Sequence, residues 1–148
     1  MTKSILLVED NPDDEELTVR ALERNHIANR VIVARDGQEA LDYLFADGEW
    51  SGRDVEDTPS VILLDLHLPK IDGLEVLQRI RADPRTTLAP VVILTSSMEQ
   101  QDLIRGYGLG ANSYVRKPVE FEQFVKAVGQ LGVYWLMVNE VPQLVGVA

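Results

Sequence analysis

The chain of 148 residues contains no cysteine. Disulfides and thiolate metal sites are therefore excluded, and nothing argues for an oxidising compartment. Positive charge is scarce: 14 Lys and Arg stand against 24 Asp and Glu, a formal net charge of -10. Sequence-independent binding to nucleic acid or to an anionic membrane needs a cationic face, so neither is expected. Long hydrophobic runs are missing as well. The first, Ile5 to Val8, is too short for a signal peptide and is followed by acids. No stretch is long enough to span a bilayer. The expectation is a soluble, cytoplasmic protein.

What the chain does have is alternation. Short β-rich runs stand at 4–8 (SILLV), 29–34 (NRVIVA), 61–65 (VILLD), 90–94 (PVVIL) and 112–116 (NSYVR). Most are apolar at consecutive positions, as in strands covered on both faces. Helical spacing with start signals lies between them. Asn11-Pro12 supplies a capping residue and a proline at the first helical position. Asp36 with Glu39, Asp72 with Glu75, and Ser96 with Glu99 fit capping-box spacing. Leu41, Leu44 and Phe45 mark one buried face, Leu74, Leu77 and Ile80 a second, and Phe121, Phe124, Val125, Val128 and Leu131 a third. Five β-then-α units imply an α/β fold, a doubly wound five-stranded parallel sheet with five helices. The strand order 2-1-3-4-5 is chosen partly by analogy with known doubly wound proteins. The connection from Asp47 to Pro59 is polar apart from Trp50 and Val55, and reads as a mobile loop.

Ligands of an open parallel sheet bind beyond the carboxyl ends of its strands. In the proposed order that edge collects Glu9 and Asp10 after strand one, Asp65 after strand three, Thr95 and Ser96 at strand four, and Lys117 after strand five. Crowded carboxylates repel, and a hard divalent cation such as Mg²⁺, which takes oxygen ligands, relieves them. The glycine-rich turn of a nucleotide site is absent, since EDNPDD stands in its place. A phosphoryl group on a side chain fits better than a free nucleotide. Asp65 is the candidate nucleophile, with Lys117 as a point charge and Thr95 as a hydroxyl donor for the developing phosphoryl charge.

VED at 8–10, LLDLHLPKIDG at 63–73, ILTSS at 93–97 and YVRKP at 114–118 together resemble the response-regulator receiver domain, a flavodoxin-like fold. The resemblance covers about residues 4–130, with 131–148 an extension of the last helix and tail of a single domain. It implies that Asp65 accepts a phosphoryl group from a sensor histidine kinase. It implies Mg²⁺ on Glu9, Asp10, Asp65 and the backbone carbonyl of His67, and Lys117 on the phosphoryl group ahead of a Pro118 that is often cis. It implies a switch in which Thr95 swings toward the phosphoryl group and Tyr114 turns inward, and rate-tuning positions at His67 and Ser97. No DNA-binding or enzymatic output domain is expected after the fifth helix. The turn LHLPKIDG, the long loop before strand three and the stretches ADPRTTLAPVVILTSS and YGLGANSYVRKPVEF are similar to small receivers paired with bacterial phytochromes, which implies a light-sensing kinase as partner.

Two other readings compete. A haloacid-dehalogenase-type hydrolase carries D-x-D after its core strand, and here the second acid is replaced by His67. A scaffold that is never phosphorylated would show loss of Asp65, Asp10 or Lys117, and all three are present. In the tail, Tyr134, Met137, Val138 and Val141 lie off the inward stripe that Trp135 continues. Such an apolar patch predicts a homodimer through the fourth helix, fifth strand, fifth helix and tail. A membrane-surface helix is disfavoured, as no Lys or Arg follows Lys126.

Overall fold

A computed structural model describes residues 4–25, 30–95 and 99–116, together with 126 and 130. Within them run strands β1 (Ser4–Val8), β2 (Arg30–Ala34), β3 (Val61–Leu64), β4 (Val91–Thr95) and β5 (Ser113–Arg116). Four helices alternate with them: α1 (Pro12–Arg24), α2 (Gly37–Phe45), α3 (Gly73–Ala82) and α4 (Gln100–Gly108). The strands form one parallel sheet in the order β2-β1-β3-β4-β5, the order expected from the sequence. The expected fifth helix, with Phe121 to Leu131, lies outside the described residues, as does the tail.

Alternation along the strands divides the core in two. Leu6, Val8, Ile62, Leu64, Val91 and Ile93 point to the face packed by Leu41 and Leu44 of α2 and by Leu74, Val76, Leu77 and Ile80 of α3. Ile5, Leu7, Val61, Leu63, Val92 and Leu94 point to the face packed by Ala21 and Leu22 of α1. The central strands β1, β3 and β4 thus bury both faces, which is why their apolar residues are consecutive. Every residue of β1, β3 and β4 is buried.

The helix starts follow local chemistry only in part. Asn11 caps α1, its side chain accepting from the N–H groups of Asp13 and Asp14, with Pro12 at the first position. Asp36 caps α2 by accepting from Glu39 N–H at 2.8 Å, while Glu39 reaches back to Arg35 N–H at 3.2 Å. The expected Asp72–Glu75 box is corrected: Asp72 is at the cap position of α3 and makes no side-chain cap hydrogen bond. Glu99 precedes α4 and likewise makes none, and Ser96 lies outside the described residues.

The connection between α2 and β3 is also corrected. It holds a 3-10 turn at Gly48–Trp50 and is fastened by Arg53. The guanidinium donates to the carbonyls of Tyr43, Leu44, Asp54 and Asp57 at 2.6–3.1 Å. It also lies 4.3 Å from the centroid of the Tyr43 ring, against which Trp50 packs edge-on. One planar cation with five donors satisfies several loop carbonyls together. Arg81 does the same at the end of α3. It donates to the carbonyls of Thr87, Ala89 and Gly110 and to Asn112 Oδ1, tying α3 to the turns before β4 and β5. Burial pushes the Arg81 guanidinium below its ordinary pKa, because desolvation disfavours the charged form.

Candidate phosphoryl and metal site

Strand pairing carries three side chains to one edge of the sheet. Glu9 follows β1 and its N–H donates to Ala34 at 2.9 Å, extending the ladder with β2 by a residue. Asp65 follows β3 and its N–H donates to Val8 at 3.1 Å. Thr95 is the last residue of β4. The hydrogen bonds fix the backbone, so the carboxylates and hydroxyl are aimed by the sheet and not by a loop.

Carboxylate oxygens of Glu9, Asp10 and Asp65 lie within 4.8 Å of one another. Glu9 is 2% exposed and Asp65 8%, whereas Asp10 is open to solvent. Burying an anion is costly unless it is paired or bound to a cation. Asn11 N–H donates to Glu9 Oε2 at 3.3 Å, which compensates part of that cost. Hard oxygen donors, two sheltered and one accessible, suit a hard divalent cation that keeps some of its water. On the other side of Asp65, the fully buried Thr95 hydroxyl donates to Oδ1 at 2.9 Å. His67 N–H reaches the same oxygen at 3.3 Å.

The turn after Asp65 is closed by backbone contacts. Gly73 N–H donates to Leu66 at 2.8 Å, and Ile71 N–H to Pro69 at 2.8 Å. Lys70 adopts a left-handed φ of 66°. Its ammonium lies 3.4 Å from Asp36, the cap of α2. A β-carbon on Gly73 would meet the carbonyl of Asp65, and one on Gly37 would meet that of Ile71. Both glycines therefore let helix starts approach the turn that carries Asp65.

Of the residues expected at the site, Glu9, Asp10, Asp65 and Thr95 converge. His67 joins them through its backbone, while its imidazole points toward α4, 3.8 Å from Asp102. Tyr114 is half-buried with its hydroxyl covered, packed against the core beside Gly106 of α4, so it is already turned inward. Lys117, Pro118 and Ser97 lie outside the described residues. Sequence reasoning missed Gly73, Gly37, Lys70 and Asp102. The Asp72-Gly73 and Asp36-Gly37 pairs were readable as turn-to-helix signals, while Asp102 carried no local signal.

A family model for the response regulator receiver domain matches residues 5–129. FilR2 of Methanothrix harundinacea, described as a probable methanogenesis regulatory protein, is 45% identical over 138 residues, covering 93% of this chain and 86% of its own. The phosphorylated cyanobacterial phytochrome response regulator RcpA superposes with a TM-score of 0.87 at 38% identity, covering 96% of this chain and 99% of that one. The bacteriophytochrome response regulator AtBRR does so with a TM-score of 0.76 at 57% identity, covering 95% and 99%. The five-stranded sheet, the acids at its carboxyl edge and a family match over most of the sequence lead to one conclusion: this chain belongs to the response regulator receiver domain family.

Proposed function

We propose that the protein is a phosphoacceptor switch of a two-component system, with Asp65 as the acceptor and a sensor histidine kinase as the donor. The observation that carries this reading is the cluster itself: three carboxylates within 4.8 Å, with the Thr95 hydroxyl on Asp65 at 2.9 Å. An Asp65 oxygen attacks the phosphorus of the kinase's phosphohistidine in line. The phosphorus–nitrogen bond breaks, its electron pair stays on the imidazole nitrogen, and an acyl phosphate remains on Asp65. Glu9, Asp10, Asp65 and the backbone carbonyl of His67 would hold Mg²⁺, which when bound would neutralise charge on the phosphoryl oxygens. Lys117 supplies the second positive charge. Thr95 transfers its hydroxyl hydrogen bond from Asp65 to a phosphoryl oxygen.

Tyr114 reads that movement. Because its ring is already inward beneath α4, the switch is a repacking against Gly106 and not a swing from solvent. His67 and Ser97 border the phosphoryl group and set its lifetime. The likeness to phytochrome response regulators supports a light-sensing kinase as the donor, although FilR2 is a methanogenesis regulator by description. The receiver spans 1–148 as one domain, works in the cytoplasm and is no stand-alone enzyme. It pairs as a homodimer through α4, β5, the fifth helix and the tail. Ile104 and Tyr107, one turn apart and exposed on α4, support that surface.

Labelling with acetyl phosphate and Mg²⁺ tests the reading. Saturable incorporation of about one phosphoryl group per chain, lost in Asp65→Asn and without Mg²⁺, is expected. Label that survives Asp65→Asn overturns the assignment. Steady turnover of an added phosphomonoester would instead favour the hydrolase reading.

A further inference from the structure

We propose that Asp102 of α4 is a positioning residue for the turn that carries Asp65, acting through His67. Residue 67 is held at both ends. Its backbone N–H reaches Asp65 Oδ1 at 3.3 Å, and its imidazole Nε2 lies 3.8 Å from Asp102 Oδ2. The two partners differ in exposure. The His67 side chain is 64% exposed and lies across the surface, whereas that of Asp102 is only 12% exposed. Asp102 sits in the first turn of α4, where the helix dipole favours a carboxylate. The sheltered group is therefore on α4 and the exposed one on the turn.

This arrangement gives α4 a direct hold on the acceptor turn, separate from the Thr95–Tyr114 route. It rests on the phosphoacceptor reading for its consequence. A phosphoryl group on Asp65 adds about -1.5 to -2 charges beside residue 67. The imidazole N–H then faces two competing anions. While it stays on Asp102 it is kept off the phosphoryl group and the first turn of α4 stays seated. When it moves to the phosphoryl group, that seat loosens.

The test uses the full chain as wild type, Asp102→Asn, His67→Ala and the double variant. In the resting protein, amide hydrogen exchange should rise about twofold to fivefold, the scale of one weak surface contact. The rise is expected in residues 65–73 of Asp102→Asn and in α4 of His67→Ala, with no further rise in the double variant. After labelling with acetyl phosphate, Asp102→Asn should change the decay rate of the aspartyl phosphate by a similar factor. In the His67→Ala background it should change nothing. Unchanged exchange in both single variants overturns the proposal, and so does an Asp102→Asn effect that persists without the imidazole. Failure of wild type to take up a phosphoryl group would sink the phosphoacceptor reading instead, and exchange would still decide the tether.

Discussion

Gly73 has no side chain because the carbonyl of Asp65 occupies the space where one would begin. The first residue of α3 is thereby pressed against the turn that carries Asp65, and its N–H closes that turn on Leu66. Gly73→Ala should cost about 1–3 kcal/mol, the usual penalty of forced overpacking. It should also weaken Mg²⁺ binding, because backbone that moves at 65 moves the cluster. Urea unfolding and a metal titration measured on the same variant check both effects. Loss of stability with unchanged metal affinity would show that the turn absorbs the methyl group without disturbing the site. Lys70 is a different case at the same scale. Its left-handed φ accompanies an exposed ammonium 3.4 Å from Asp36, a long solvated side chain reaching from the turn to the cap of α2.

At the scale of elements, the end of α3 shows how a short polar motif closes a helix. Asp83 accepts from Nε and Nη2 of Arg85 at 3.0 and 2.8 Å, and from its backbone N–H at 2.8 Å. The same guanidinium lies 4.8 Å from the Phe45 ring centroid, joining α3 to α2. The Arg85 side-chain hydrogen bond holds the Asp83 carboxyl below its ordinary range, against the weaker opposing effect of burial. A depressed carboxyl pKa stabilises the fold above the unfolded value of about 3.9, and that contribution fades as pH falls through the lower folded value. Asp83→Asn should therefore lose about 0.2–1 kcal/mol near neutral pH, as exposed pairs do. Its unfolding curve should converge on the wild type in acid. A gap that stays constant between pH 7 and pH 2 would refute the electrostatic origin.

The elements themselves were legible from the residues. All five strands lie within a residue of the apolar runs, and in β1, β3 and β4 burial on both faces writes a continuous signal. The caps at Asn11 and Asp36 were legible for the same reason, since the capping side chain and its target are neighbours. The converging acids were legible only once the sheet order was assumed. The fastening of residues 47–59 was not, because Arg53 meets the carbonyls of Tyr43 and Leu44, ten and nine residues away, which no local pattern announces. Nor was the pairing of His67 with Asp102, 35 positions apart in sequence and joined only by the packing of α4.

For the whole molecule, charge opposes self-association. Two copies of a chain with net charge -10 repel at long range, and salt screens that repulsion within about 8–10 Å at physiological strength. If the proposed dimer is held by apolar contacts that include Ile104 and Tyr107, added salt should strengthen it. In sedimentation equilibrium the full chain of 16.6 kDa should run at twice that mass at about 0.15 M salt. Ile104→Glu, which adds an acid to the patch, should restore the single mass. A monomeric wild type, or a dimer indifferent to Ile104→Glu, removes α4 from the interface.

The Arg53 fastening has a practical outcome. It closes the run between α2 and β3, which enters the sheet at the edge opposite the acids. A β-carbon on Gly52 would meet nothing within 4 Å, and the chain has no thiol of its own. Gly52→Cys therefore creates a unique attachment point for a dye or spin label, on a hydrogen-bonded handle away from the acids, through which changes at the sheet edge can be watched without touching it.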